Sequence, residues 1–279
     1  MKFRPLYSVV MSIYRGDDLN QIRSAIESIL NQTYKPNQFV IVVDGPVLKD
    51  IAITLEEYKK KEDIELYFLE NNLGSGLARN FAVKKCRNEL IGIMDADDIS
   101  LPNRFQIQVA EMFKSNVDVI GGWISEFDID SQVSENLRIR MVPREHTEIF
   151  RYGQLRNPMN HVTLLFKKKV FMSIGGYKKI AFYEDYDLIV RLMMQGAKFL
   201  NVQKILVQVR CGHGMFSRRG GAKNILAEIS FFCGIYIVGY LTIGNLILNL
   251  MLRIPVRLVP SGVRKYIYIK FLRGKEIYE

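Results

Sequence analysis

Asp95, Asp97 and Asp98 follow directly on the apolar run Leu90, Ile91, Ile93 and Met94. Three acids where a buried strand ends are costly unless something positive sits among them. A divalent cation holding a phosphorylated ligand would remove that cost, because hard cations choose oxygen donors. The same residues could instead cap a following helix, a position that favours Asp, with Pro102 fitting its first turn. This segment alone leaves both readings open. A second acidic pair, Glu184-Asp185, stands at or before the first turn of a helix carrying Leu188, Ile189, Leu192 and Met193. The helix dipole favours negative charge there, so capping is again one reading.

The elements that must position these acids are legible from their periodicity. Tyr7–Ile13 reads as a buried strand and Tyr14–Asp18 as a loop ending in a helix cap. Ile22, Ile26, Ile29 and Leu30 recur at helical spacing, and Pro36 is expected to close that helix. Phe39–Val43 is a strand running into Asp44-Gly45-Pro46, and Leu48, Ile51, Leu55 and Tyr58 mark a second helix. Ile64–Leu69 is a third strand, Gly74–Asn80 opens a third helix, and Glu89–Met94 is a fourth strand. Strand and helix alternate four times with short connections, which predicts a doubly wound, mostly parallel α/β sheet. Ligands of such sheets bind outside the carboxyl ends of the strands. Asp44, the 71–79 loop and Asp95/Asp97 all fall on that rim.

After Pro102 a helix carries Phe105, Val109, Met112 and Phe113, and Val117–Trp123 is a further strand. The alternation is lost between Ser125 and Arg156, where a substrate-specific excursion is expected. Asn157-Pro-Met-Asn-His161 then leads into the apolar run Val162–Phe166.

With 279 residues and 48% hydrophobic content, the chain can build a large α/β core, with or without an appendage. Its net charge of +10 points to an anionic partner: nucleic acid, an acidic membrane surface or a phosphorylated substrate. Cys86, Cys211 and Cys233 show no metal-type pairing, which argues for a reducing compartment without structural disulfides or zinc. No basic-then-apolar segment opens the sequence, so the folded body is expected in the cytoplasm.

In their order and placement these motifs resemble the family 2 glycosyltransferases, inverting enzymes of the GT-A fold, of the type that builds bacterial surface polysaccharides. The likeness runs from about Tyr7 to about Ser217. It rests on Ser12-Ile-Tyr14, Asp44-Gly45, Asn72-x-Gly74, Ala78-Arg79-Asn80, the aspartate triplet, Gly175-Gly-Tyr177 and Glu184-Asp185. Gly74-x-Gly76 is not a dinucleotide fingerprint, since its third glycine is replaced.

The resemblance implies a set of roles. Ser12 and Tyr14 would line a uracil base and Asp44 would accept its N–H, with Asn72, Gly74 and Ala96 completing the nucleotide-sugar site. Arg79 would sit near the pyrophosphate, although alone it could be a solvated helix charge. Asp95 would lie by the ribose and the metal, and Asp97 would be the main ligand of Mn2+ or Mg2+. His213 would complete the metal or diphosphate site. Asp98 would be a capping residue or would stand behind the metal ligands and support them. Asp185 would be the general base that inversion requires, with Glu184 orienting it or the acceptor. His161 and Asn160 could line the acceptor site, and Arg218 and Arg219 could form a basic lid between glycine hinges.

From Ile229 to Leu252 no formally charged residue appears, yet Ser230, Thr242, Asn245, Asn249 and three glycines interrupt the run. Arg253, Arg257, Arg264, Lys265, Lys270 and Arg273 follow it. Basic flanks prefer the cytoplasmic side. The expectation is a catalytic domain over 1–217, divided into a nucleotide-sugar half (1–123) and an acceptor half (124–217), and a membrane-associating tail over 218–279. Its helices would lie in the interface, or form a shallow re-entrant pair, with the basic tail on anionic headgroups. A buried helix, a dimer contact or a single span are the alternatives. Membrane attachment suggests a cytosolic UDP-hexose or UDP-N-acetylhexosamine as donor and a saccharide on a polyprenyl diphosphate as acceptor, at the cytoplasmic face of the cell membrane.

Two other readings compete. A sugar nucleotidyltransferase would need a glycine-rich basic loop after the first strand, which Ser12-Ile-Tyr-Arg-Gly16 does not provide. A non-catalytic protein could keep the fold, against which the joint presence of Asp97 and Asp185 counts. Nucleic acid is not the expected partner, since its cations should track a folded face rather than gather beside an apolar tail.

Overall fold

The computed structural model describes residues 5–128, 138–180, 182–211 and 221–259. Strands β1 (Tyr7–Ile13), β2 (Gln38–Val43), β3 (Ile64–Phe68) and β4 (Leu90–Asp95) pair in parallel in the order β3-β2-β1-β4. Successive residues of a strand face opposite sides of its sheet, and the core divides accordingly. Val9, Met11, Ile13, Ile41 and Val43 pack on one side beneath α1 (Leu19–Leu30), α2 (Lys49–Lys61) and α4 (Arg104–Ser115). Val10, Val40, Val42, Ile91 and Ile93 pack on the other side with α3 (Ser75–Lys85) and α7 (Glu184–Met194). Strands buried on both faces need such unbroken apolar runs.

Helix α1 ends at Leu30, before Pro36. The Gln32 side chain donates to Ser28 O and Leu101 O, and Thr33 N donates to Pro102 O, so the chain is drawn off the helix axis before the proline is reached.

The second half departs from the expected pattern. It contains β5 (Ile99–Ser100), β6 (Val119–Asp128), β7 (Arg138–Arg140), α5 (His146–Tyr152), β8 (Leu165–Lys167), α6 (Lys168–Ser173) and β9 (Phe199–Cys211). β8 runs antiparallel between β4 and β6, β5 and β7 pair antiparallel to β9 and β6, and β6 pairs parallel with β9. The sheet is therefore mixed, not mostly parallel. β8 follows a 3-10 turn at His161–Thr163 instead of a crossover helix, and so enters from the opposite end. Part of the expected irregular excursion is regular, because β6 continues to Asp128.

The apolar stretch near the carboxyl end forms two helices, α8 (Ala222–Ile237) and α9 (Ile243–Leu258). Gly239, at φ +78°, and the Thr242 side chain, which accepts from Asn245 N, break the run between them. Among the described residues no helix is long and apolar enough to cross a membrane. Phe231, Phe232, Ile235, Tyr240 and Leu246 join Tyr186, Leu188 and Ile189 of α7 in one core, so a boundary at 217 separates residues that pack together. The outer side is different: Leu226, Ile237, Ile243, Met251, Leu252 and Leu258 are exposed.

Candidate active site

Parallel pairing sets Ser12, near the end of β1, directly beside Asp95, the last residue of β4. Arg79 reaches across from α3, and its Nη2 lies 2.6 Å from Asp95 Oδ1. Burial opposes the Asp95 charge, but Arg79 and the hydrogen bond it donates hold the carboxyl below its usual range. The buried Arg79 Nε has no partner, which leaves one donor in reserve at the rim.

The other two aspartates diverge. Asp97 is exposed at the tip, where crowding by the surrounding protein and then the Asp95 charge raise its proton affinity. Asp98 turns inward, is 3% exposed, and accepts from Arg210 N at 3.0 Å, tying the β4–β5 turn to β9. Burial, with the Asp95 and Asp97 charges adding to it, pushes the Asp98 carboxyl well above its ordinary value. One member of the triplet is ion-paired, one is open and one is buried against β9. Asp17 was invisible in the sequence because it stands next to the capping residue Asp18. Its Oδ2 accepts from Tyr14 N at 2.8 Å. Burial pushes Asp17 up to about 6, and the neighbouring Asp97 and Asp95 charges add to the rise.

Among the described residues no three His, Cys, Asp or Glu side chains close into a cage for a metal. Asp95 and Asp97 offer oxygen only, from one side. That donor set suits Mg2+ or Mn2+, ions that take one or two carboxylates and complete their shell with phosphate oxygens and water. His213, Arg218 and Arg219 lie outside the described residues.

The neighbouring strand end is sewn shut by backbone. Asp44 is 3% exposed, and its Oδ1 and Oδ2 accept from Leu73 N at 2.7 Å and Gly74 N at 2.9 Å. Asn72 Nδ2 returns a bond to Asp44 O at 3.0 Å. A carboxylate has about four lone-pair sites, so a base N–H would have to use one of those remaining. Tyr14 is exposed above this corner and Ala96 is buried beneath the rim.

The second acidic cluster is built from β7, the 153–163 loop and α7. Ser75 Oγ, in the first turn of α3, donates to Glu184 Oε1 at 3.2 Å, so the two acidic clusters share one rim. Asp185 accepts from Asn157 Nδ2 at 2.9 Å and from Tyr186 N at 2.7 Å. Burial and the Glu184 charge raise its carboxyl above the ordinary value, with Arg140 pulling the other way. Asn157 and Arg140 were not singled out as candidates. Asn157 opens the Asn-Pro-Met-Asn run, but only folding brings it to Asp185.

His161 Nε2 lies 2.7 Å from Tyr177 OH. Burial, and next the Arg79 charge, press His161 down to about 4, so it is a neutral imidazole at neutral pH. That pull from Arg79, with Asp95 opposing it, puts His161 beside the Arg79–Asp95 pair, while its partner Tyr177 feels that pair and also Asp185 and Glu184. Tyr177 is clasped by Asn80, whose Oδ1 accepts from Tyr177 N and whose Nδ2 donates to Tyr177 O, both at 2.8 Å. Gly176, at φ +69°, has no room for a side chain, since a Cβ there would stand 2.3 Å from Asn80 Oδ1. Asn160 lies deeper than His161. It is 1% exposed and donates to Gly122 O at 2.8 Å and Arg140 O at 3.2 Å, so it braces β6 and β7, while its buried Oδ1 has no partner.

The family model described as "Glycosyl transferase family 2" matches residues 8–175. The chain is 33% identical over 270 residues to the UDP-Gal:alpha-D-GlcNAc-diphosphoundecaprenol beta-1,3-galactosyltransferase of Escherichia coli, covering 96% of this chain and 97% of that one. It is 29% identical over 272 residues to the amylovoran biosynthesis glycosyltransferase AmsE of Erwinia amylovora, covering 96% and 100%. Among solved structures, residues 1–349 of S. aureus TarS in complex with UDP-GlcNAc share its fold. The TM-score is 0.62 at 16% identity, over 96% of this chain and 71% of that one. The chain spans 43% of the longer TarS crystal structure.

Proposed function

This chain belongs to glycosyltransferase family 2, and on that premise we propose that it moves a hexose or N-acetylhexosamine from a UDP-sugar, with inversion, to a saccharide on a polyprenyl diphosphate at the cytoplasmic face of the cell membrane. The observation that carries this reading is a contrast on one rim. Asp95 is held charged by Arg79 while Asp185 is pushed toward its neutral form. Carboxylates whose environments drive their proton affinities apart have separate tasks in acid–base chemistry. The donor and acceptor come from the Escherichia coli relative, whose name specifies UDP-Gal and GlcNAc-diphosphoundecaprenol.

Arg79, with its unpaired Nε, steadies the diphosphate, and Asp44, Ser12 and Tyr14 hold the base end. Mn2+ or Mg2+ held by Asp97 and Asp95 would supply Lewis-acid neutralisation of the leaving group. Asp185 accepts the acceptor hydroxyl proton as the oxygen attacks the anomeric carbon from the face opposite the diphosphate. The new C–O bond forms, the bond to phosphate breaks, and UDP departs with its electron pair. His161 and Tyr177, joined at 2.7 Å, line the rim beside the Arg79–Asp95 pair. The test is an assay of UDP-Gal, UDP-Glc, UDP-GlcNAc and UDP-GalNAc with Mn2+ and a GlcNAc-diphosphopolyprenol acceptor. Transfer from one of them with inverted configuration supports the reading, and no transfer from any overturns it.

The outer side of the α8–α9 hairpin is the membrane face in this reading. Leu226, Ile237, Met251 and Leu252 suit the headgroup–acyl boundary. Removing the hairpin would tear out part of the core, so substitution is the cleaner test. Serine at Ile237, Met251 and Leu252 together is expected to weaken binding to anionic phospholipid vesicles by at least about tenfold, given roughly 1.5–3 kcal/mol per large apolar side chain fully buried. UDP affinity should stay unchanged. Undiminished flotation of the triple variant with vesicles would reject this face.

A further inference from the structure

We infer that the inner side of the α8–α9 hairpin is a positioning device for Asp185, acting through Glu228 and Tyr183 on one flank and Gln154 on the other. The inference rests on Asp185 being the base. Glu228 in α8 is 0% exposed, and a carboxylate wholly out of water is costly unless fully paired. It has three partners: Arg257 Nε at 2.7 Å, Arg253 Nη1 at 3.3 Å and Tyr183 OH at 2.8 Å. A hairpin that only had to cover the body could have packed there with apolar side chains.

Tyr183 is the residue on which α7 starts, two positions before Asp185. Its ring stacks on Phe231 with centroids 4.5 Å apart and planes 8° from parallel, while its hydroxyl is fixed by Glu228. The first turn of α7 is therefore aimed by α8 and α9.

The opposite flank is tied to the same hairpin. Gln154 Oε1 accepts from Asn245 Nδ2 at 2.7 Å, and Gln154 O accepts from Asn249 Nδ2 at 2.8 Å. Arg253 also donates to Leu155 O, and Tyr186 OH donates to Gly153 O. Three residues after Gln154, Asn157 makes its 2.9 Å bond to Asp185 Oδ2. Both supports of the Asp185 carboxylate thus lead, within three residues, to side chains of the hairpin.

Tyr183→Phe keeps the stack on Phe231 and removes only the hydroxyl. In the full chain it is expected to lower kcat about ten- to a hundredfold, the scale of a small misplacement of a reacting group. KM for the UDP-sugar and affinity for UDP should stay within about twofold, as expected when only transition-state interactions are lost. The acid limb of the kcat–pH profile should move to lower pH as water reaches Asp185, a shift that a purely structural role would not produce. Glu228→Gln, which loosens both arginines, is expected to act in the same direction. Unchanged kcat and pH profile in Tyr183→Phe, alongside an inactive Asp185→Asn, would overturn the inference and leave the base assignment standing. Full transfer by Asp185→Asn would overturn both. A parallel loss of UDP affinity in Tyr183→Phe would mark general unfolding and also count against positioning.

Discussion

Asp185→Asn is expected to bind UDP as the parent does and to transfer sugar about 10²–10⁴-fold more slowly, the contribution of a positioned general base. The substitution preserves size. Tyr186 N can still donate to the side-chain oxygen, while the new amide faces Asn157 Nδ2, whose own Oδ1 is engaged by Met159 N. The local cost is about one hydrogen bond, roughly 1 kcal/mol, which is small beside the catalytic loss. The donor half is untouched, because Arg79 and Asp95 pair without reference to Asp185. The pH dependence has a definite sign. Burial and Glu184 raise the Asp185 carboxyl, and only its deprotonated form can take a proton. The rate therefore falls as pH drops through that raised value, and the acid limb lies above the ordinary aspartate value of about 4. Single-turnover transfer and UDP titration measure the two halves of this expectation. Transfer at the parent rate would remove Asp185 from the mechanism.

Asp97→Ala is expected to abolish the gain in UDP affinity that Mn2+ confers, a loss of about a hundredfold or more. That follows if the ion supplies several kcal/mol to the diphosphate and each 1.4 kcal/mol is a factor of ten. The side chain is exposed, so the fold should survive its removal. Relief of the charge should also let Asp17 and Asp98 lose their protons more readily, since Asp97 raises both. UDP titrations with Mn2+ and with a chelator decide the matter. An unchanged difference between them would return Asp97 to the role of a turn residue. Asp98→Asn makes the contrast. It should keep the Mn2+ response, because Asp98 is committed to Arg210 N.

The parallel half was readable because its strands are short, mostly apolar runs and the helices between them keep their own period. Polar residues at the strand ends then had to share a rim. The reversed β8 was not readable. Leu165 and Phe166 are equally apolar whichever way the strand runs, and direction depends on the turn before it. Asn157, Arg140 and Asp17 were hidden for a different reason. Their partners are distant in sequence or are backbone groups, and no local pattern marks them. The Asn80–Tyr177 clasp joins two quoted motifs 97 positions apart, a link that neither motif contains by itself. Helices, or a shallow pair of them, were expected from the uncharged stretch, but not where they divide. Its actual division follows from Gly239 and Thr242, and its inner polar contacts follow from Glu228, which lies just outside the uncharged run.

The supports of Asp185 extend from Asn157 to Arg257, and this has a consequence for synthesis. A chain emerging from the ribosome completes its parallel half at Asp95, more than 150 residues before Arg257, and domains tend to fold amino-terminal part first. A nascent chain could therefore hold a nucleotide sugar early and yet be unable to consume it. On the positioning inferred above, turnover would begin only once α8 and α9 have themselves been made, which would keep a half-finished chain from spending activated sugar on water.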